Sequence, residues 1–477
     1  MSTPEHAPQP QFPQTARVSN TGAPLQNEIW TEPEDDAGWA PSVSPWPTLS
    51  LDALPGFIGE FVALATRNSE ADPAAVLTTA LVRFSAELIS PYIEVGDTVH
   101  KARLFAAVVG ASSKSRKGTS AAPVKKLFTF DESSGYTPAA CHPGPMSSGE
   151  GLVYAVRDEV LKWAVDRQTG EGRMVIIDPG IMDKRLCVQD EELAAALHST
   201  KRPGNTLSTA LRCLWDHGNI APLTKTSKIA TTGAHITLLT HITTQELSAL
   251  LGSVQVLNGF ANRFLWVCAR RRGVVAFPEP MPGAELATLR GELLALLRAG
   301  KDVGRVSMDQ SARELWGEVY PALTLDHHGL AGCVINRGEA QVTRLSMIYA
   351  LLDGQQVIAK RHLTSALAFW WYCQESAMVI FGQREANPVA AKVLNALRGG
   401  PKSLTDLHKA FGNNMQTDRI KGALEELVES GWVQSSTEKT TGRAKTVFKL
   451  NERNELDEIC SPAVAVLPVG NPLAMAV

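Results

Sequence analysis

Cysteine is sparse in this 477-residue sequence: seven occur, at 141, 187, 213, 268, 333, 373 and 460, and no two form a CxxC pair. That pattern excludes a disulfide framework and a CxxC-type zinc site, and reads as reduced thiols of a cytosolic chain. Long apolar runs are lacking, since none approaches the ~20 residues a membrane span needs. No basic start leads into an apolar segment, so no signal peptide is expected and the expected location is cytoplasmic, with no membrane partner. Charge of one sign is lacking as well. The formal net charge is -3, so any contact with nucleic acid has to be local. What remains is a globular composition, 44% hydrophobic and 20% charged, in a chain long enough for two or three domains.

Residues 1–46 are rich in Pro, Gln, Ser and Thr and poor in aliphatics, which predicts a disordered segment despite Trp30, Trp39 and Trp46. A helical region follows at 47–94, with Asp72 as N-cap and Pro73 at the first helical position of its second helix. Over 95–282 apolar runs alternate with helical patterns. Strands are predicted at 102–110, 185–193, 235–243 and 263–271, and a helix over 149–166. Strands alternating with helices predict an α/β domain with a mostly parallel sheet. Residues 283–384 carry i, i+3/i+4 apolar spacing and predict a helical domain. Residues 385–452 read as helix-turn-helix plus hairpin, the winged-helix pattern, and 453–477 as a flexible tail.

The stretch "VVGASSKSRKGTS" nearly spells the phosphate-binding loop G-x-x-x-x-G-K-[ST]. Arg116 stands where the second glycine is expected, and Gly118 separates Lys117 from Thr119 and Ser120. Gly110, Ser115, Arg116, Lys117, Gly118, Thr119 and Ser120 are the candidate ATP-binding residues. Lysine would bridge the phosphates and a hydroxyl would meet Mg²⁺. A basic solvated turn is the competing reading. Asp190, Glu191 and Glu192 in "RLCVQDEEL" are candidate carboxylates for the metal side, with Glu191 and Glu192 also candidates for polarising water, although acids also suit a helix start. Glu150 in "SSGEGL" is the other candidate for polarising water. His241, ending the strand "HITLLTHIT", could sense a γ-phosphate, and Arg263 or Arg270 could reach a neighbouring subunit's nucleotide.

Taken together, "VVGASSKSRKGTS", "SSGEGLVYAVRDE", "RLCVQDEELAAAL", "TKTSKIATTGAHITLLTHITTQEL" and "NGFANRFLWVCARRR" resemble, in order, the primase-helicase-like P-loop ATPases of phages, plasmids and integrated elements. The resemblance implies a RecA-like core related to hexameric replicative helicases, with ATP and Mg²⁺ held between subunits. It assigns Lys117 with Thr119 or Ser120 to the phosphate loop, Thr119 and Asp190 to the metal, Glu150 to the catalytic glutamate and His241 to the sensor strand. Arg263 or Arg270 falls in the finger region.

DNA contacts are expected at two places. Residues 387–450 hold ten Lys/Arg against six Asp/Glu, a surplus of four, with Arg419 and Lys421 on the third helix and Lys439, Arg443 and Lys445 around the hairpin turn. Lys225 and Lys228 mark a candidate DNA-facing hairpin in the core. The expected function is therefore a DNA-dependent ATPase of a mobile element, a homo-oligomeric, hexameric replicative helicase or initiator. The alternatives are a non-catalytic DNA-binding regulator with a degenerate nucleotide fold, or the ATPase subunit of an anti-phage or transposition system.

Overall fold

The structure, a computed structural model, describes residues 46–450 except 113–114, 166–167, 169–170, 224–228, 252–258, 326, 328, 383–387, 413–414, 430–432 and 439–444. The fold is α/β. Two helices come first, α1 (Gly56–Thr66) and α2 (Pro73–Glu87), and Asp72 caps α2 through its side chain, as the sequence predicts. A small antiparallel pair, β1 (Tyr92–Val95) and β2 (Thr98–Lys101), leads into the buried strand β3 (Phe105–Gly110). Then follow a 3-10 turn at Lys117–Ser120, α3 (Ala121–Leu127), β4 (Ala140–His142) and α4 (Gly149–Ala155).

The helix predicted over 149–166 is corrected here. It stops at Ala155, and β5 (Val160–Val165) pairs antiparallel with β6 (Gly172–Asp178). Alternating Leu161, Trp163 and Val165 suit a strand once a partner is supplied, and the partner lies beyond the helix-like window. Then come β7 (Arg185–Asp190), α5 (Leu193–Thr200), α6 (Leu207–Asp216), β8 (His235–Thr243), α7 (Thr244–Leu250) and β9 (Phe264–Ala269).

The five core strands lie in the order β4-β7-β8-β3-β9, and every neighbouring pair is parallel. β3 is therefore internal to the sheet, and its six residues are all buried, the apolar run of a strand covered on both faces. From β3 the chain travels to the edge strand β4. From β8, its immediate neighbour, the chain travels the other way to β9. Adjacent strands whose connections diverge form a topological switch point, and such sheets leave a crevice there beyond the strand C-termini. The register puts Gly110 beside Thr243 and Ala269 at that end.

Helix α2 spans the sheet from this end to the other. Asp72 Oδ2 accepts from the Arg270 amide at 2.9 Å and Thr79 Oγ1 donates to Ser120 Oγ at 3.1 Å, both near the strand C-termini. At the opposite end His235 Nε2 meets Ser85 O at 2.8 Å, and Arg185 pairs with Glu87 at 2.9 Å. Helices Gly283–Lys301, Gln310–Leu323, Gly338–Leu352 and Lys360–Phe381 share one hydrophobic core with α1, α2 and the sheet, running from Ala53 to Phe381. Tyr372 Oη donates to Cys268 O at 2.7 Å, fixing the last of these helices on β9.

A second hydrophobic cluster joins helices Pro388–Arg398, Leu404–Ala410 and Thr417–Glu429 with Val433. These helices accompany a three-stranded antiparallel sheet in which Lys445–Leu450 lies between Lys402–Ser403 and Val433–Glu438. Among the described residues no helix is long and apolar enough to cross a membrane.

Candidate functional site

Gly110 ends β3 where only glycine fits. A Cβ there would stand 1.9 Å from Ser115 Oγ, because the chain turns back and the Ser115 hydroxyl donates to Ser112 O at 2.6 Å. Arg116 then adopts the left-handed backbone, φ 56, as the one non-glycine residue with positive φ among those described. This is the position at which the sequence motif expects glycine, so the chain keeps the turn while replacing the residue. A side chain in that region costs roughly 1–2 kcal/mol.

The Arg116 side chain is held by Glu70, whose Oε2 accepts from Nε at 2.7 Å. Glu70 also accepts from Arg271 and from the Val275 amide, and these contacts, Arg271 first, draw its carboxyl down to about 2. Arg116 is thus tied to the segment after β9. Replacing it separates strain from tether: both Arg116→Gly and Arg116→Ala lose the Glu70 contact, but only glycine relieves the backbone. Thermal unfolding should find the glycine variant more stable by about 1 kcal/mol, and the reverse order would contradict the strained turn.

Lys117 is half-buried and its charge bears on two groups of β8 and α7. His241 is buried with Nε2 unpartnered, and burial first, then Lys117, pushes it down to about 4, so the imidazole is neutral at pH 7. Glu246 closes a capping box with Thr243, whose Oγ1 donates to Glu246 Oε2 at 2.8 Å. Hydrogen bonds from Thr243, with a smaller contribution from Lys117, hold the Glu246 carboxyl below its ordinary range. Thr244 Oγ1 reaches Gly110 O at 3.5 Å, closing β8 onto the loop.

The two candidate hydroxyls differ. Ser120 is buried, donating to Lys117 O at 3.0 Å and accepting from Thr79, whereas Thr119 is exposed, as is Gly118. Thr119 is the hydroxyl open to a metal.

Asp190 ends β7, buried beside β8. Its Oδ2 accepts from the Met146 amide and its Oδ1 from the Glu192 amide, each at 3.0 Å. Gly144, at φ 81, packs so closely that a Cβ would lie 2.7 Å from Asp190 Cγ. The carboxylate thus pins the segment after β4 to the end of β7, and each oxygen keeps a lone pair beyond its amide bond. Glu191 next to it is exposed.

Glu150 lies in the first turn of α4, which follows β4, the next core strand in sequence after β3. Thr206 Oγ1 donates to it at 2.8 Å, and its own amide and Thr206 hold the carboxyl below the usual range. It therefore stands against the start of α6.

The two arginines part company. Arg263 precedes β9, at the end of the sheet away from the loop by roughly 20 Å for six residues of strand. It is buried, paired with Asp216 at 2.6 Å, its guanidinium 5.8 Å from the Trp215 ring. Arg270 follows β9 at the loop's end of the sheet, exposed, its guanidinium 5.4 Å from the Trp46 ring. Arg419 and Lys421 are exposed on helix Thr417–Glu429, while Ile420, Ala423 and Leu424 face its core. Lys225, Lys228, Lys439 and Arg443 lie outside the described residues, and Lys445 begins the strand Lys445–Leu450.

The structure therefore gathers Gly110, residues 115–120, His241, Thr243 and Glu246 at the switch point, with Asp190 at the end of the next strand. Sequence reasoning missed Glu70, the partner of Arg116, which no local pattern marks. It also missed Glu246, which the Thr243–Glu246 capping-box spacing could have flagged. No protein-family model matches the chain, and no curated protein matches it.

Proposed function

We propose that this chain is an ATP hydrolase with a RecA-like P-loop core and a C-terminal winged helix, acting on DNA as a homo-oligomer, a hexameric ring of the replicative helicase or initiator type. The observation that carries the reading is the position of Lys117. A loop leaving the internal strand β3 brings it to the switch point beyond the strand C-termini, within electrostatic reach of His241 and Glu246. An unpartnered, neutral His241 and an exposed Thr119 fit a phosphate group and Mg²⁺ there.

ATP with Mg²⁺ would supply the phosphoryl group, and the residues divide the remaining work. Lys117 would hold the phosphates, Thr119 the metal and Asp190 the metal's water shell. His241 would read the terminal phosphate. Glu150 or Glu191 would orient water. Of the two arginines, Arg270 has the exposure that a contact with a neighbouring nucleotide requires. The exposed Arg419 and Lys421 suit phosphate contacts along a DNA groove.

One observation favours a second reading, a DNA-binding regulator that retains the nucleotide fold without catalysis: both Asp190 oxygens already accept amides. Titration calorimetry with Mg²⁺ and a non-hydrolysable ATP analogue tests the first. Saturable binding is expected, and an absence of binding heat at every temperature tried would end it.

A further inference from the structure

The ribbon β5–β6 leaves apolar surface in water. Leu161 pairs with Ile176, Trp163 with Met174 and Val165 with Gly172. Cross-strand partners and alternate residues share a face, so five large apolar side chains form one strip. Their exposures are 44% for Leu161, 61% for Trp163, 56% for Val165, 54% for Met174 and 56% for Ile176. Lys162 and Arg173 fall at the intervening positions, on the opposite face. The Trp163 indole lies over Gly172, where a Cβ would stand 2.1 Å from its Cζ2, so the ring is laid along the strip. The strip opens on the order of 500 Å² of apolar side chain to solvent, near the upper end of what a monomer's largest patch exposes. A two-stranded ribbon standing alone is also only marginally stable in water.

We propose that this face is a self-association surface, on which a second copy of this chain packs its own β5–β6 strip about a twofold axis. The strip is complementary to itself: apolar side chains meet apolar side chains, and among the described residues of each ribbon the cations Lys162 and Arg173 point away from the contact, so these bring no like charges together. A contact of this kind is isologous and closes on itself. The strip's own area falls short of the about 800 Å² per partner of a standard interface, so a contact made by it alone should dissociate within an accessible dilution range. Nucleic acid is a poor occupant, because the described residues of the strip offer phosphate no cation. The contact makes no use of the nucleotide site, and its failure leaves ATP binding untouched.

Sedimentation equilibrium of the full chain over a dilution series tests it, beside a Trp163→Lys, Ile176→Lys double variant. The wild type should sediment as an even-numbered assembly, and the variant at half that mass or less, its self-association weakened about 100-fold or more. A wild type that stays monomeric, or a variant of unchanged mass, overturns the proposal. So does a monomeric wild type that sediments with lipid vesicles, which would make the strip a membrane-facing surface. If the variant misfolds, hydrogen exchange of the wild type decides: amides of 160–165 and 172–178 should gain protection with concentration, and protection independent of concentration overturns the contact.

Discussion

Replacing Lys117 by alanine should lower DNA-stimulated ATP turnover by a factor on the order of 100–1,000, the loss seen when one charged or polar contact to a transition state is removed. The fold should persist. The Lys117 side chain is half-buried, and the local hydrogen bonds run through its backbone, with Ser120 Oγ donating to Lys117 O at 3.0 Å. The same variant has a readout independent of turnover. Lys117 helps to depress His241, with burial the larger cause, so its removal should raise the His241 titration midpoint in an NMR pH series. Burial alone keeps that midpoint below the ordinary 6.5. The two readouts separate two errors. Unchanged turnover with a shifted histidine would leave the geometry standing and sink the catalytic assignment. An unmoved histidine would deny the placement of Lys117 itself.

The sequence made this crevice legible in part, and the divide follows the range of the interactions. β3 and β9 were readable because strands buried on both faces are largely apolar, as Phe105–Gly110 and Phe264–Ala269 are. β8 was readable from its β-branched Ile and Thr around Leu238 and Leu239, although His235, Thr237, Thr240 and His241 are buried polar residues. The N-cap Asp72 was readable because capping is decided within three residues. The ribbon was not. Trp163 and Leu161 fit either period until Met174 and Ile176 are known to be their partners, and strand pairing is not a local property. At the loop, the sequence marked Arg116 as a misplaced residue. The left-handed turn survives the exchange, helped by Glu70, which stands 46 residues away and reaches Arg116 only through the packing of α2 and β9. Arg263 and Arg270 look alike in sequence. Six residues of strand put them at opposite ends of the sheet, and only Arg263 meets Asp216.

Glu87→Ala should be the most destabilising single change in the core, by about 3–5 kcal/mol, the loss found when one partner of a buried ion pair is removed. The reason is the number of groups that one carboxylate serves. Glu87 is 1% exposed and pairs with Arg83, 6% exposed, and with Arg185 at 2.9 Å. It also accepts from Tyr136 Oη at 2.9 Å and from the Ala139 amide at 3.0 and 2.9 Å. Alanine would leave the Arg83 guanidinium without its carboxylate and a phenol and an amide without their acceptor. Arg185 would keep only the Asp183 carboxylate, at 2.7 Å, and water has little room to replace the lost one. The Arg83 guanidinium, 4.8 Å from the Phe128 ring, would stay buried with its charge unmatched. A surface pair gives the contrast. Arg67 and Glu285 meet at 2.7 Å, but their side chains are 51% and 47% exposed, so Glu285→Ala should leave stability nearly unchanged. Urea unfolding of both variants, followed by circular dichroism, compares them directly. Similar midpoints would mean that Glu87 does not hold the lower end of α2. Because α2 carries Thr79 against Ser120 and Asp72 against Arg270 at its other end, loosening at Glu87 should also weaken ATP-analogue binding without touching a residue of the crevice.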